Sequence, residues 1–131
     1  MRENIHRIMM YNNSMYICSM YSKELLKGTL SAIILNLLAD NGRMYGYEIY
    51  QKVKDLSKDK ILLKDGSLYP ALQKMHKEGL LSYEEEYVGK RVRKYYFLTP
   101  EGQKKKVAYL QELKDFIATL NDIMFLELKV S

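Results

Sequence analysis

Asp65-Gly66-Ser67-Leu68-Tyr69-Pro70-Ala71-Leu72-Gln73-Lys74-Met75-His76-Lys77-Glu78-Gly79 is the stretch on which the fold turns. Leu68, Leu72 and Met75 recur at the i, i+4, i+7 spacing that lines one helical face, with Ala71 beside them. Ser67, Tyr69, Pro70, Gln73, Lys74 and Lys77 are left to face outward. Proline has no amide hydrogen and clashes with a preceding carbonyl deep inside a helix, so Pro70 fits best in a first turn. Gly79 supplies a left-handed cap at the other end. The spacing thus predicts a short helix from Ser67 to Gly79, apolar on one side and free for contact on the other.

Towards the N-terminus, Leu26, Leu30, Ile33 and Leu37, with Leu25, Ile34 and Leu38, form a broad apolar face at helical spacing. They predict a core helix stopped by Asn41-Gly42. A second helix is expected from Tyr45 to Leu56, with Ile49, Val53 and Leu56 inward. The polar Ser57-Lys58-Asp59-Lys60 breaks it, and Ile61-Leu62-Leu63 forms a short strand or tucks under the domain. Residues 1–21 differ, holding five of the eight methionines without clean periodicity. They read as an arm, either upstream of a natural start at Met20 or a short helix carrying Ile5, Ile8, Met9 and Tyr16.

After Gly79 the period changes. Leu80 to Tyr87 and Arg91 to Leu98 are rich in aromatic and β-branched residues and are separated by Val88-Gly89-Lys90, which predicts a β-hairpin. Thr99-Pro100-Glu101 then opens a helix with an N-cap threonine, a proline at the first helical position and an acid in the first turn. That helix should run from Pro100 to about Leu126. Leu110, Leu113, Ile117, Leu120 and Met124 make a three-four seam along it, flanked at every seventh residue by Tyr109, Phe116 and Ile123. At 1.5 Å per residue it would be roughly 40 Å long, more than a small domain can cover. Its apolar side is expected to meet a second copy of the chain, or else to fold back on the first core helix.

The chain has 131 residues, 47% of them apolar, enough for one domain with a modest core. Lysine and arginine number 21 against 16 acidic residues, a net +5, which is compatible with an anionic partner without requiring one. The lone cysteine, Cys18, excludes an internal disulfide, no Cys/His cluster has zinc spacing, and no apolar run approaches the ~20 residues that span a bilayer. A cytoplasmic protein with no cofactor or metal, and without membrane contact, is expected. Catalysis is not: His6 and His76 lie on the arm and on the outward-facing helix, and neither a nucleophile elbow nor a phosphate loop occurs.

Three helices, a hairpin and a further helix is the order of a winged helix-turn-helix module, in which the third helix enters the DNA major groove and the hairpin is the wing. The fold class expected is mainly α with a small β-hairpin: an arm over residues 1–21, a winged helix-turn-helix domain over 22–99, and a C-terminal dimerisation helix over 100–131. Between Lys90 and Lys106 stand Lys90, Arg91, Arg93, Lys94, Lys104, Lys105 and Lys106 against Glu101 alone, so this stretch is more basic than the whole chain. Clustering of that kind suits phosphate neutralisation. Gln73 can pair with adenine and Lys74 or Lys77 with guanine or phosphate, while Ser67 and Tyr69 lie near the helix start, where hydroxyls and amides suit a phosphate. Glu84-Glu85-Glu86 should face away from DNA or partner the basic second strand. The rival is a winged-helix module that binds protein through the same helix and wing; the local charge favours nucleic acid.

Leu26-Lys27-Gly28-Thr29-Leu30, Tyr45-Gly46-Tyr47-Glu48-Ile49, Gly66-Ser67-Leu68-Tyr69-Pro70-Ala71-Leu72, Glu78-Gly79-Leu80, Arg93-Lys94-Tyr95-Tyr96 and Leu98-Thr99-Pro100-Glu101-Gly102 together resemble PadR-family transcriptional regulators. The resemblance covers Lys23 to Met124, and the single C-terminal helix is similar to the family's short-tailed subgroup. It implies a homodimer on a palindromic operator, usually a repressor, often released by a small hydrophobic or phenolic effector. It also implies that Tyr69 and its helix, with the wing's basic residues, touch DNA. Multidrug-sensing relatives commonly stack planar ligands on a tryptophan of the last helix. This chain has none; Phe116, Tyr109 or Met124 could substitute, although core packing accounts for each as well.

Overall fold

The computed structural model describes residues 20–130, with side chains described as far as Phe125. The expectations for the arm fall almost wholly outside this range. The order of elements is α1 (Lys23–Lys27), α2 (Leu30–Asn41), α3 (Gly46–Leu56), α4 (Asp65–Lys77), β1 (Leu81–Val88), β2 (Arg91–Leu98) and α5 (Pro100–Val130). Ile34, Leu35, Ile49, Leu68, Leu72, Met75 and Leu81 are sealed from solvent at its centre, with Leu63 from the α3–α4 link and Tyr96 from the hairpin. Each such side chain contributes about 1.5–3 kcal/mol relative to leaving it exposed. The Leu68, Leu72, Met75 stripe is therefore what fixes α4 to the domain.

Four expectations are corrected. The first core helix is two: α1 ends at Gly28, the Thr29 hydroxyl donates to the Leu26 carbonyl, and the chain restarts as α2. A threonine side chain competing for a backbone carbonyl beside a glycine interrupts a helix that apolar spacing alone would continue. Leu25 consequently points to solvent. The contact helix is thus the fourth described, not the third. Leu56 is exposed rather than inward, because it occupies the last residue of α3, past the core, where the chain turns away through positive φ at Lys58 and Asp59.

The other two corrections concern helix ends. Helix α4 starts at Asp65, so Pro70 falls in its second turn and removes the amide that would have bonded the Gly66 carbonyl. Its far end is as expected: Gly79 has φ +80°, its amide donates to His76 O, and the Leu80 amide donates to Met75 O, a Schellman closure. Helix α5 continues to Val130 but is interrupted at Phe125 (φ −126°, ψ 21°). Its uninterrupted part, Pro100 to Met124, is about 37 Å long.

The hairpin is in antiparallel register from Leu81 opposite Leu98 to Val88 opposite Arg91, closed by Gly89-Lys90 with Gly89 at φ +65°. A glycine with positive φ at the first turn position suits a tight two-residue connection. Met44 adds a single bridge to Tyr96, exchanging both backbone hydrogen bonds with it. At the start of α5 the Thr99 hydroxyl accepts from the Gly102 amide and donates to the Gly79 carbonyl at 2.6 Å. A Cβ on Gly102 would stand 2.0 Å from the Leu80 carbonyl oxygen, so only glycine lets α5 approach the chain leaving α4 this closely. Helix α4, the wing and α5 are tied together at that one corner.

Candidate nucleic-acid interface

Helical spacing gathers Ser67, Pro70, Gln73, Lys74 and Lys77 into one exposed stripe opposite the buried leucines. From Ser67 to Lys77 it is about 15 Å long, comparable with a major groove about 12 Å wide. Tyr69 lies at the edge of the stripe that borders α3. Its ring rests on the backbone of Gly46, where a Cβ would come within 2.6 Å of the phenol oxygen. Tyr69, Tyr47, Tyr50 and Lys64 line a groove of about 630 Å³ between α3 and the start of α4. Gly46 is thus what lets Tyr69 lie flat, a role that depends on a contact distant in sequence.

The wing has two different faces, because successive strand residues alternate. On one, Tyr83 meets His76 of α4 (5.0 Å between ring centres) and Tyr96 (5.6 Å), and the Lys94 ammonium sits 4.8 Å above the Tyr83 ring. On the other, Arg43 stacks over Tyr95 and Arg93 over Tyr45, each at 4.3 Å, while Tyr45 and Tyr95 meet edge to face. Arg43 also pairs with Glu84 and Glu86. Hydrogen bonding to Glu86 raises the Arg43 pKa, and bonding to Tyr95 raises that of Arg93. Both guanidiniums remain charged.

Lys94 therefore shares the wing face that meets α4 through Tyr83, whereas Arg93 lies on the opposite face and braces the wing against the α2–α3 link. Lys90 and Arg91 occupy the exposed tip. Glu84 and Glu86 are taken up by Arg43, and Glu85 lies across from Lys94. Lys104 and Lys105 belong to α5, beside Glu101 and the Tyr109 ring respectively. The bracing by Arg43, Tyr45 and Tyr95 was not anticipated: cation–π pairs between residues some fifty positions apart leave no periodic signature.

Among the described residues no helix is long and apolar enough to cross a membrane. The sequence signature of the PadR-like transcriptional regulator family matches residues 34–107, more than half of the chain. The chain belongs to the PadR-like family. This PadR-like chain is 32% identical over 106 residues to an uncharacterised protein from Lysinibacillus sphaericus, covering 80% of the one and 93% of the other. A transcriptional regulator from Clostridium thermocellum shares its fold with a TM-score of 0.73 and 27% identity, over 78% of this chain and 99% of that one. Bacillus subtilis PadR, solved in complex with operator DNA, matches with a TM-score of 0.56 and 29% identity over 62% of this chain and 46% of its own. The winged helix-turn-helix architecture of the PadR-like regulators is thus present, mainly helical with one two-stranded wing.

Proposed function

We propose that the protein is a homodimeric, operator-binding repressor. The observation that carries this reading is an exposed Gln73, Lys74, Lys77 stripe on α4 beside a wing that carries Lys94 on the face meeting that helix through Tyr83, and Lys90 and Arg91 at its tip. Helix α4 would enter the major groove, where Gln73 pairs with adenine and the lysines meet guanine or phosphate. Ser67, Tyr69 and Pro70 would meet the backbone at the helix start. Arg93, one of the expected contacts, acts in this reading chiefly by holding the wing in place.

One such helix reads only a few bases, so a palindromic operator needs two copies at fixed spacing. The seam on α5, half-buried at Tyr109, Leu110, Leu113 and Leu120 and exposed at Phe116, Ile117, Ile123 and Met124, would supply that dimer. Tyr109 also donates to the Gly28 carbonyl, tying α5 to the α1–α2 junction within the subunit. A small hydrophobic or phenolic effector would lodge along this seam near Phe116 and Met124 and alter the spacing of the two reading helices. Occupying a promoter excludes polymerase, which makes repression the expected sign.

The test is retardation of a duplex from the region upstream of the protein's own gene, across a range of salt. Binding should weaken as salt rises. Lys90→Ala with Arg91→Ala should weaken every sequence alike and lower the salt slope by about 2, whereas Gln73→Ala should change sequence preference. Equal losses on operator and random DNA for Gln73→Ala would remove Gln73 from base readout, and salt-insensitive or absent retardation of the wild-type protein would refute the reading as a whole.

A further inference from the structure

The side of the wing that ends in Arg91 has no net charge of its own. Strand alternation puts Glu84, Glu86, Arg91, Arg93 and Tyr95 on this side, and Tyr83, Glu85, Tyr87 and Lys94 on the other. Two carboxylates thus stand against two guanidiniums. Glu86 lies directly across from Arg93, and Arg91 is its diagonal neighbour towards the tip. Diagonal positions are about 7–8 Å apart, within reach of a long side chain. Left to the hairpin alone, Glu86 would pair with one of these arginines, and a guanidinium held by a carboxylate is lost to phosphate.

Arg43 changes that balance from outside the hairpin. It stands in the α2–α3 link, donates to Glu84 at 3.3 Å and pairs with Glu86, so one guanidinium occupies both carboxylates. The side ending in Arg91 becomes net positive. Mechanical support of the wing has several other sources: Met44 exchanges two backbone hydrogen bonds with Tyr96, Arg93 lies over Tyr45, Tyr45 meets Tyr95 edge to face, and Tyr83 packs on His76 from the other side. The separate contribution of Arg43 is the charge that keeps Glu84 and Glu86 off the wing's own arginines.

Resting on the reading of the protein as a DNA binder, we propose that Arg43 is a positioning residue for that activity: by occupying Glu84 and Glu86 it leaves Arg91 free to neutralise a backbone phosphate, without touching DNA itself. When Arg43 is removed, the carboxylates turn to Arg91 and Arg93 and repel the approaching phosphates. Affinity then falls although every residue that faces the duplex is still present.

The experiment is a salt titration of binding to the upstream duplex by the full chain, comparing wild type, Arg43→Ala, Arg91→Ala and the two combined. Each single variant should bind about ten-fold more weakly, equivalent to ~1.4 kcal/mol, and should lower the salt slope by about 1. Combined, they should still cost about ten-fold, where independent sites would cost about hundred-fold. Adding Glu84→Gln and Glu86→Gln to Arg43→Ala should return affinity to within about two-fold of wild type, with the salt slope restored. The same glutamines should gain far less where Arg43 is present. Denaturant midpoints should stay alike, since exposed ion pairs contribute little to stability. Losses that multiply would mean that Arg43 meets phosphate itself, and an equal gain from the glutamines in both backgrounds would reduce the effect to bulk charge. A lowered midpoint in Arg43→Ala with no rescue of binding by the glutamines would make Arg43 a structural prop. Any of these overturns the proposal, as does an unaffected Arg43→Ala, which leaves the DNA reading intact. If the wild type fails to bind the duplex at low salt, both fall together.

Discussion

Two regions of this molecule treat apolar surface in opposite ways. In the winged domain Leu35, Ile49 and Leu72 have no exposed surface at all, and the polar residues of α4 face outward. Along the second half of α5, Ile117 is 58% exposed and Ile123 71% exposed, at a spacing as regular as that of the core. The helices of the winged domain bury their apolar stripes against one another, and the apolar residues left exposed there, such as Leu56 and Tyr87, stand at element ends rather than along a seam. The first half of helix α5 packs on α2, its second half leaves a three-four row of apolar residues uncovered within the subunit, and in the proposed reading a second copy covers it. The proposed dimeric reader would need both kinds of region.

The contrast can be broken by exchanging the same kind of truncation between the regions. Leu72→Ala should cost about 2–5 kcal/mol in denaturant unfolding, because it empties a filled site. Ile117→Ala should change the stability of the dilute monomer by no more than about 0.5 kcal/mol, yet lower the melting temperature at high protein concentration, where association stabilises the fold. A large loss in the dilute Ile117 variant would mean that the second half of α5, like the first, packs on its own subunit.

Gly46→Ala sharpens the account of the reading head. The new methyl group displaces the half-exposed Tyr69 side chain rather than backbone, so stability should change by less than about 1 kcal/mol, while DNA affinity falls to that of Tyr69→Ala. Unchanged affinity would show that the resting position of Tyr69 does not matter for binding.

The smallest effect is a pH dependence. Burial raises the Tyr96 phenol pKa above its ordinary value, with smaller contributions from Tyr83 and Tyr69. The neutral phenol is thus favoured in the fold, so its contribution is fully present below about pH 10 and is lost as pH rises from there through the raised value. Tyr96→Phe should narrow the gap between stability at pH 8 and at pH 11; an identical fall in both proteins would contradict that.

What could be read from the sequence follows the range of the interactions. The buried stripe of α4, the hairpin with Gly89 at its turn and the Thr99-Pro100 start of α5 depend on neighbours a few residues away, and their patterns were visible. The break at Gly28-Thr29 was hidden because Leu25 and Leu26 continue the apolar spacing across it, and a hydroxyl seeking a carbonyl has no period. The start of α4 at Asp65 and the exposure of Leu56 depend on where neighbouring segments end. Gly46 under Tyr69, Gly102 against Leu80 and the Arg43, Tyr95, Tyr45, Arg93 stack depend on residues far apart in the chain. The composition of the candidate interface was therefore legible, while the supports that aim it were not, including the division of Lys94 and Arg93 between opposite faces of one strand.

The central claim is that each chain is half of a DNA-binding unit completed through α5. Sedimentation of the protein with a fluorescent duplex from its upstream region, for wild type and for Leu113→Glu with Leu120→Glu, tests it most directly. Two wild-type chains per duplex are expected, together with a double variant that remains folded, sediments as a monomer and loses its preference for that duplex over random DNA. One wild-type chain per duplex, or a monomeric double variant that binds with undiminished preference, would contradict it.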